Sequence, residues 1–249
     1  MTVLVLAPDD DETADRFAAF ARASGRTAVV ASDLDRIAVS VRVSRDRVSR
    51  TRIAVDGVEV TAILSRGLGP WGDEPDADRA FVAAETYAVL WSAIALWDGP
   101  VVNRPSPQGF FPRLDPLDLV ATGVVAPTRT VVLNDGSAPG EEVFRLPDWT
   151  VLEPDAPRDR FAVVRISDRD PARTRQVLVA GSDVIALDGG GLDGTAPVVA
   201  WIRRNGVDFA TFTVEHDHRL HDVSCYPRHH QFAHVEHRVH TALLAELTP

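Results

Sequence analysis

The chain opens on an unbroken apolar run, Val3-Leu4-Val5-Leu6-Ala7. A run with no polar alternate predicts a strand covered on both faces, as in a parallel sheet. Four acidic residues, Asp9 to Glu12, come next, and then Phe17, Phe20 and Ala21 recur at helical spacing. Acidic side chains favour a helix start because they sit against the positive end of its dipole. Gly25 closes that helix, and Thr27 to Ala31 forms the next apolar run. The opening residues therefore read as a β-α-β unit, the building block of a doubly wound sheet.

Further along, Asp56-Gly57 separates two alternating runs between Arg52 and Leu64, a hairpin signal. Residues 79–97 predict a long helix with Phe81, Ala84, Tyr87, Ala88, Trp91 and Ile94 as its buried stripe, stopped by Gly99-Pro100. Val101-Val102 reads as a short strand that leaves the sheet through Asn103-Arg104-Pro105-Ser106-Pro107. A proline-rich exit of this kind places a domain boundary near 104–112, with domains at 1–104 and 113–249. The second half predicts a helix near 115–122 and strands near 129–133, 161–166, 175–180 and 183–187. A helix at 196–204, strands at 208–214 and 219–224, and a last helix over 229–247 complete it. This half reads as mostly antiparallel sheet with flanking helices.

Composition narrows the classes of function. The 249 residues are 45% hydrophobic and 25% charged, an ordinary globular balance. A net charge of −10 argues against a nucleic-acid or anionic-membrane binder. No apolar stretch is read as reaching the length of a membrane span, and the N-terminus has no positive region of the signal-peptide kind. Cys225 is the single cysteine, so no intramolecular disulfide forms, which suits the cytoplasm. All 26 basic residues are arginines. The chain thus offers no Schiff-base lysine and no lysine to grip a phosphate.

The order of these segments, with their short motifs, resembles the ATP-grasp superfamily, in its glutathione-synthetase-like peptide and amino-acid ligase branch. Val101-Val102-Asn103-Arg104-Pro105 is similar to the turn that ends that family's N-terminal domain. Gly123 to Thr130 is similar to the stretch leading into its nucleotide-binding half, and Arg175 to Gly181 to its arginine-bearing strand and glycine turn. Asp222-Val223-Ser224-Cys225-Tyr226-Pro227 resembles its closing hairpin. The resemblance implies an α/β fold, with a Rossmann-like pre-ATP-grasp domain followed by a reduced ATP-grasp-like α+β domain. It also implies a chemistry in which ATP phosphorylates a carboxylate and a nucleophile attacks the acyl phosphate. Clamped phosphates and magnesium, which takes hard oxygen ligands, make that chemistry possible.

Carried onto this chain, the resemblance offers Asp222 and Ser224 as metal ligands, with Thr213 where a first carboxylate is expected. It offers Arg104, Arg113 and Arg175 for nucleotide phosphates, and Arg66 and Glu85 for substrate, although a salt bridge or cap is the plainer reading of the last two. Against ATP and magnesium stand the absent lysines, the replacement of two of three metal ligands, and a shortened phosphate flap; arginine is no geometric substitute for lysine. The expectation is therefore a degenerate, non-catalytic partner of a peptide or of a catalytically intact relative, working as a homo- or hetero-oligomer. An active ligase rebuilt on arginines is the alternative.

All eight histidines lie between 216 and 240, and His230, His234 and His237 are placed on one face of the last helix. Such spacing can hold a transition metal, but a solvated histidine-rich helix is the favoured reading. Cys225 beside His221 or His229 raises a nucleophile pair, with chance proximity favoured. Trp71 and Trp149, both read as loop residues, are the tryptophans suited to partner contact.

Overall fold

The computed structural model describes residues 1–43, 49–68, 77–106, 109–110, 112, 114, 119, 130–133, 162–165, 174–215 and 220–248. The expected β-α-β opening is present: β1 (Thr2–Leu6), helix α1 (Glu12–Ala23) and β2 (Thr27–Ala31). β1 pairs in parallel with β2 on one side and with β6 (Ala62–Ser65) on the other, and β6 pairs in parallel with β7 (Val101–Val102). The sheet order is thus β2-β1-β6-β7, and residues 3–6 of the central strand are fully buried, as their unbroken apolar run demands.

Between β2 and β6 lies a small separate sheet of β3 (Ile37–Val43), β4 (Ser49–Val55) and β5 (Val58–Glu59). Asp56 and Gly57 both have positive φ, 50° and 79°, which a tight two-residue hairpin turn requires. The turn is where the sequence places it, but the arm beyond it is only two residues long. The main partner of β4 is β3, paired antiparallel from Ile37–Val55 to Val43–Ser49.

Helix α2 (Ala77–Leu96) departs from its expected stripe. Leu90, Ala93 and Ile94 are buried, whereas Phe81, Ala84 and Ala88 are exposed. Only its C-terminal half meets the core. An 18-residue window of this 20-residue helix has a mean hydropathy of 1.2, so α2 is long and apolar enough to cross a membrane by length and composition only, contrary to the sequence reading.

The second half places β8 (Thr130–Leu133) against β9 (Ala162–Arg165). A four-stranded antiparallel sheet follows, with β11 (Asp183–Ala186), β10 (Thr174–Ala180), β12 (Phe209–Glu215) and β13 (Leu220–Ser224) in that spatial order. Helix α3 (Ala196–Arg204) covers one face, where Val177, Val179, Phe212 and Val214 pack with Val198, Trp201 and Ile202. The other face gives Leu178, Ala180 and Phe209 to a core shared with Val3, Val5, Phe17 and Leu64 from the first half. The two halves of the sequence therefore bury one apolar cluster between them.

The expected last helix is interrupted. A single turn at His229–Phe232 and a 3₁₀ turn at Ala233–Val235 precede helix α4 (Glu236–Glu246). Phe232 from the first turn and Val239 and Leu243 from α4 enter the shared core, with Phe232 edge-on to Phe209 at 5.9 Å. Phe232→Ala removes a fully buried ring at the joint between the halves. It is expected to cost about 3–5 kcal/mol, read as a lower urea midpoint. Tryptophan fluorescence and circular dichroism should shift together, because one core serves both halves.

Candidate functional site

The parity of β10 and β12 sets up the site. On the face that turns toward the parallel sheet, Phe209, Ala180 and Leu178 are apolar at one end, and Thr211, Gln176, Thr213, Thr174 and Glu215 follow at the other. Antiparallel pairing then sets Ser224 opposite Thr211 and Asp222 opposite Thr213, just before a register shift in β13. The register thus places Asp222, Ser224 and Thr213 at neighbouring positions of the β12–β13 pair. Thr211, Thr213 and Glu215 are all buried, at 3%, 8% and 4% exposure. Glu215 is a carboxylate that the sequence reading passed over; its place two residues beyond Thr213 on the same strand was the available signal. The Ser224 hydroxyl accepts the backbone N–H of Tyr226 at 3.1 Å.

Beside this polar end, the first half is locked to the second. Asp11 caps α1, accepting the N–H groups of Thr13 and Ala14 through Oδ1 at 3.0 and 3.2 Å. Its Oδ2 takes the Arg66 guanidinium and, at 2.6 Å, the Tyr226 hydroxyl. Arg66 also donates through Nη2 to the Pro227 carbonyl at 2.9 Å, and its guanidinium lies over the Tyr226 ring at 4.2 Å. Burial first, and the Asp11 carboxylate second, push the Tyr226 phenol up to about 12. Asn103, held at φ 55°, completes the lock. Its amide donates to the carbonyls of Phe209 and Cys225 and accepts the N–H groups of Asp208 and Phe209. The sequence reading quoted Asn103 only as a motif letter; its role is to staple β7 to the open ends of β12 and β13.

The other expected residues are placed as follows. Arg66, offered for substrate, is 1% exposed and engaged with Asp11 and Pro227, which is the plainer reading given for it. Glu85 is exposed on α2 and lines a 260 Å³ groove with Leu34, Ile37, Val39, Thr86, Val89 and Leu90, a lining that does not include Arg66. Arg104, offered for phosphate, donates to the carbonyls of Ile94, Trp97 and Gly99 at 2.6–2.9 Å. A cation there satisfies the orphan carbonyls at the end of α2 and sits at the negative pole of its dipole. Arg175 donates to the Gly191 carbonyl at 3.0 Å and pins the glycine loop. Arg113, Trp71 and Trp149 lie outside the described residues.

The histidines sort differently from their spacing. His230, His234 and His237 are all exposed, and the 3₁₀ turn breaks the continuous face that the reading gave them. Among the described residues no three His, Cys, Asp or Glu side chains stand together as a metal site. His229 and His240 are the buried pair instead, with Glu12 at 3.1 Å from His229 Nδ1 and Glu236 at 3.4 Å from His229 Nε2 and 3.9 Å from His240 Nδ1. Cys225 is no activated nucleophile, since burial pushes its thiol up to about 12.

The chain has no lysine to grip a phosphate, and of the arginines offered in its place Arg104 and Arg175 donate to backbone carbonyls.

No family model and no curated protein matches the chain. Solved structures do. The RiPP-associated ATP-grasp ligase of Chryseobacterium gregarium, in complex with ADP and a leader and core peptide, matches at 12% identity and a TM-score of 0.64, covering 99% of this chain and 96% of that one. The macrocyclase MdnC of Microcystis aeruginosa, bound with a precursor peptide, matches at 14% identity and a TM-score of 0.65, covering 98% and 100%. A RimK domain protein of Sphaerobacter thermophilus matches at 18% identity and 0.56 over the full length of both chains. The chain therefore has the ATP-grasp fold.

Two outcomes test the lock and the buried histidine. Arg66→Met leaves the Asp11 carboxylate buried without its cation and is expected to cost about 3–5 kcal/mol in urea unfolding. His240 is held neutral down to about 4, chiefly by burial, with Glu236 pulling the other way and His229, Arg16 and His237 reinforcing it. Its folded value lies below the free value of 6.5, so the unfolded chain takes up the proton first. Its contribution is flat above about pH 6.5, and stability falls by about 2 kcal/mol between there and pH 4. Toward acid the urea midpoint of wild type should fall relative to that of His240→Phe, isolating this term from the carboxylates.

Proposed function

We propose that this protein is a non-catalytic ATP-grasp-fold partner in cytoplasmic peptide modification, engaging a peptide or a catalytically intact relative. One observation carries the reading: two of the guanidinium groups that the sequence offered for ligands, Arg66 and Arg104, are tied to the fold. Arg104 caps α2 and Arg66 neutralises Asp11, each with its hydrogen bonds directed at protein atoms. Releasing either for a phosphate would uncover carbonyls or a buried carboxylate, at a cost of a few kcal/mol. The peptide side of the reading is supported by the fold neighbours, two of which are solved with precursor or leader and core peptides.

A second reading, an active carboxylate–amine ligase, is favoured by one arrangement. Asp222 and Ser224 lie on adjoining registers of the β12–β13 hairpin near Glu215, a set of oxygen donors of the kind magnesium takes. Arg113 and Arg175 would then hold phosphate. Isothermal titration of the untagged full chain with ATP, with and without magnesium, separates the two. The proposal expects no binding heat in either condition. Magnesium-dependent binding, with ATP hydrolysis that disappears in Asp222→Ala, would overturn it in favour of the ligase.

A further inference from the structure

Charge is spread unevenly along this acidic chain. Residues 40–52 hold five arginines against one aspartate, in a protein of net charge −10. Of these, Arg42 stands on β3 and Arg50 and Arg52 on β4, and all three are exposed. The antiparallel register sets Arg42 directly opposite Arg50, and Ser40 opposite Arg52. Alternation along each strand then places the three arginines on one face of the small sheet. Among the described residues only Arg52 has a carboxylate near it, Glu59 at 3.8 Å, with both side chains largely exposed. Like charges directly opposite one another weaken a sheet. The Arg42–Arg50 pair therefore does nothing to hold the hairpin together.

A charge on an edge strand can guard it against pairing with another chain. That role does not extend to Arg50 and Arg52, because β4 is the central strand of its sheet. Near the end of β3 both faces of the strand are open: Val41 is 58% exposed on one, and Arg42 is exposed on the other. Among the described residues β3 pairs with β4 alone, so its outer edge presents backbone donors and acceptors. An extended chain added at that edge would run beside Arg42, with Arg50 and Arg52 one strand further in, about 5 Å away. Carboxylates on alternate residues of such a chain fall on the arginine face, where each guanidinium can take one in a forked pair of hydrogen bonds. A long polyanion would meet repulsion from the acidic remainder of the molecule, whereas a short acidic segment meets the arginines alone.

We propose that the β3–β4 hairpin binds an acidic peptide segment, which adds to the edge of β3 as a further strand and sets its carboxylates on Arg42, Arg50 and Arg52. The proposal rests on the reading of the chain as a peptide-engaging protein, and it holds whether or not ATP binds.

Fluorescence anisotropy of the untagged full chain with a labelled synthetic peptide tests it. The probe alternates glutamate and threonine over about ten residues, enough to run the length of β3. Wild type is expected to bind it, and to bind less as salt rises from about 0.05 to about 0.5 M, since exposed charges are screened. The double variant Arg42→Gln/Arg50→Gln is expected to weaken binding about tenfold. Arg204→Gln, at an exposed arginine of α3, should leave it unchanged. A probe with proline in place of every threonine keeps its carboxylates but pairs poorly as a strand, and should bind less. Unchanged thermal unfolding of the double variant controls for folding. No binding of the glutamate probe, equal binding of the proline probe, or an equal loss in Arg204→Gln overturns the proposal. Binding indifferent to the double variant also overturns it, while leaving peptide engagement elsewhere on the molecule standing. So does tighter binding of a deoxythymidine oligonucleotide that the double variant loses, which would make the hairpin a nucleic-acid surface. The ATP titration decides the catalytic question separately.

Discussion

Everything at the centre of this molecule is arranged around the carboxylate of Asp11. It accepts the first N–H groups of α1, and it is buried because α1 packs between β1 and the C-terminal helix. A buried charge is costly unless its remaining lone pairs find donors. Arg66, from the end of β6, and the Tyr226 hydroxyl, from just beyond β13, supply them. Because these donors come from opposite halves of the sequence, satisfying one carboxylate fixes how the halves sit. Asn103 repeats the logic with a neutral amide, using both its oxygen and its nitrogen across the same junction.

Two arginines are tied to the fold there: Arg66 donates to Asp11 and Pro227, and Arg104 to three carbonyls at the end of α2. Polar residues also collect along the hairpin of β12 and β13, where Thr213 pairs in register with Asp222 and Thr211 with Ser224, and Glu215 is a buried carboxylate. The fold is shared with ligases solved with ADP or with leader, core or precursor peptides. A fold does not by itself fix a function, because phosphate chemistry depends on a few side chains and the scaffold on the arrangement of elements.

The outer helix shows the same division between local pattern and final context. Its apolar content made a buried stripe the natural expectation. Yet the core has room for only its C-terminal half, where Leu90, Ala93 and Ile94 pack on the parallel sheet. Phe81 and Val82 of the other half face outward, as do Val89 and Leu96 on the outer side of the half that packs.

What the sequence by itself determined was the set of elements whose signals are local: the apolar β1, the acidic start of α1, the Asp56-Gly57 turn, the Gly99-Pro100 stop, and the strands and helix of the second half from Thr174 onward. Each depends on the preferences of a few neighbouring residues, and those are written in order along the chain. The ATP-grasp fold was legible from the order of short motifs, although none of them revealed what its residues do. Only the tertiary structure decided that Arg66 meets Asp11 and that Arg104 closes a helix. It also decided that Asn103 joins two sheets, that β4 pairs chiefly with β3, and that His229 and His240 are buried while His230, His234 and His237 are exposed. These outcomes depend on partners from 5 to more than 200 residues away. Charge and hydrogen-bonding capacity are properties of a residue, but whether they serve a ligand or the fold is settled by what folding brings within reach.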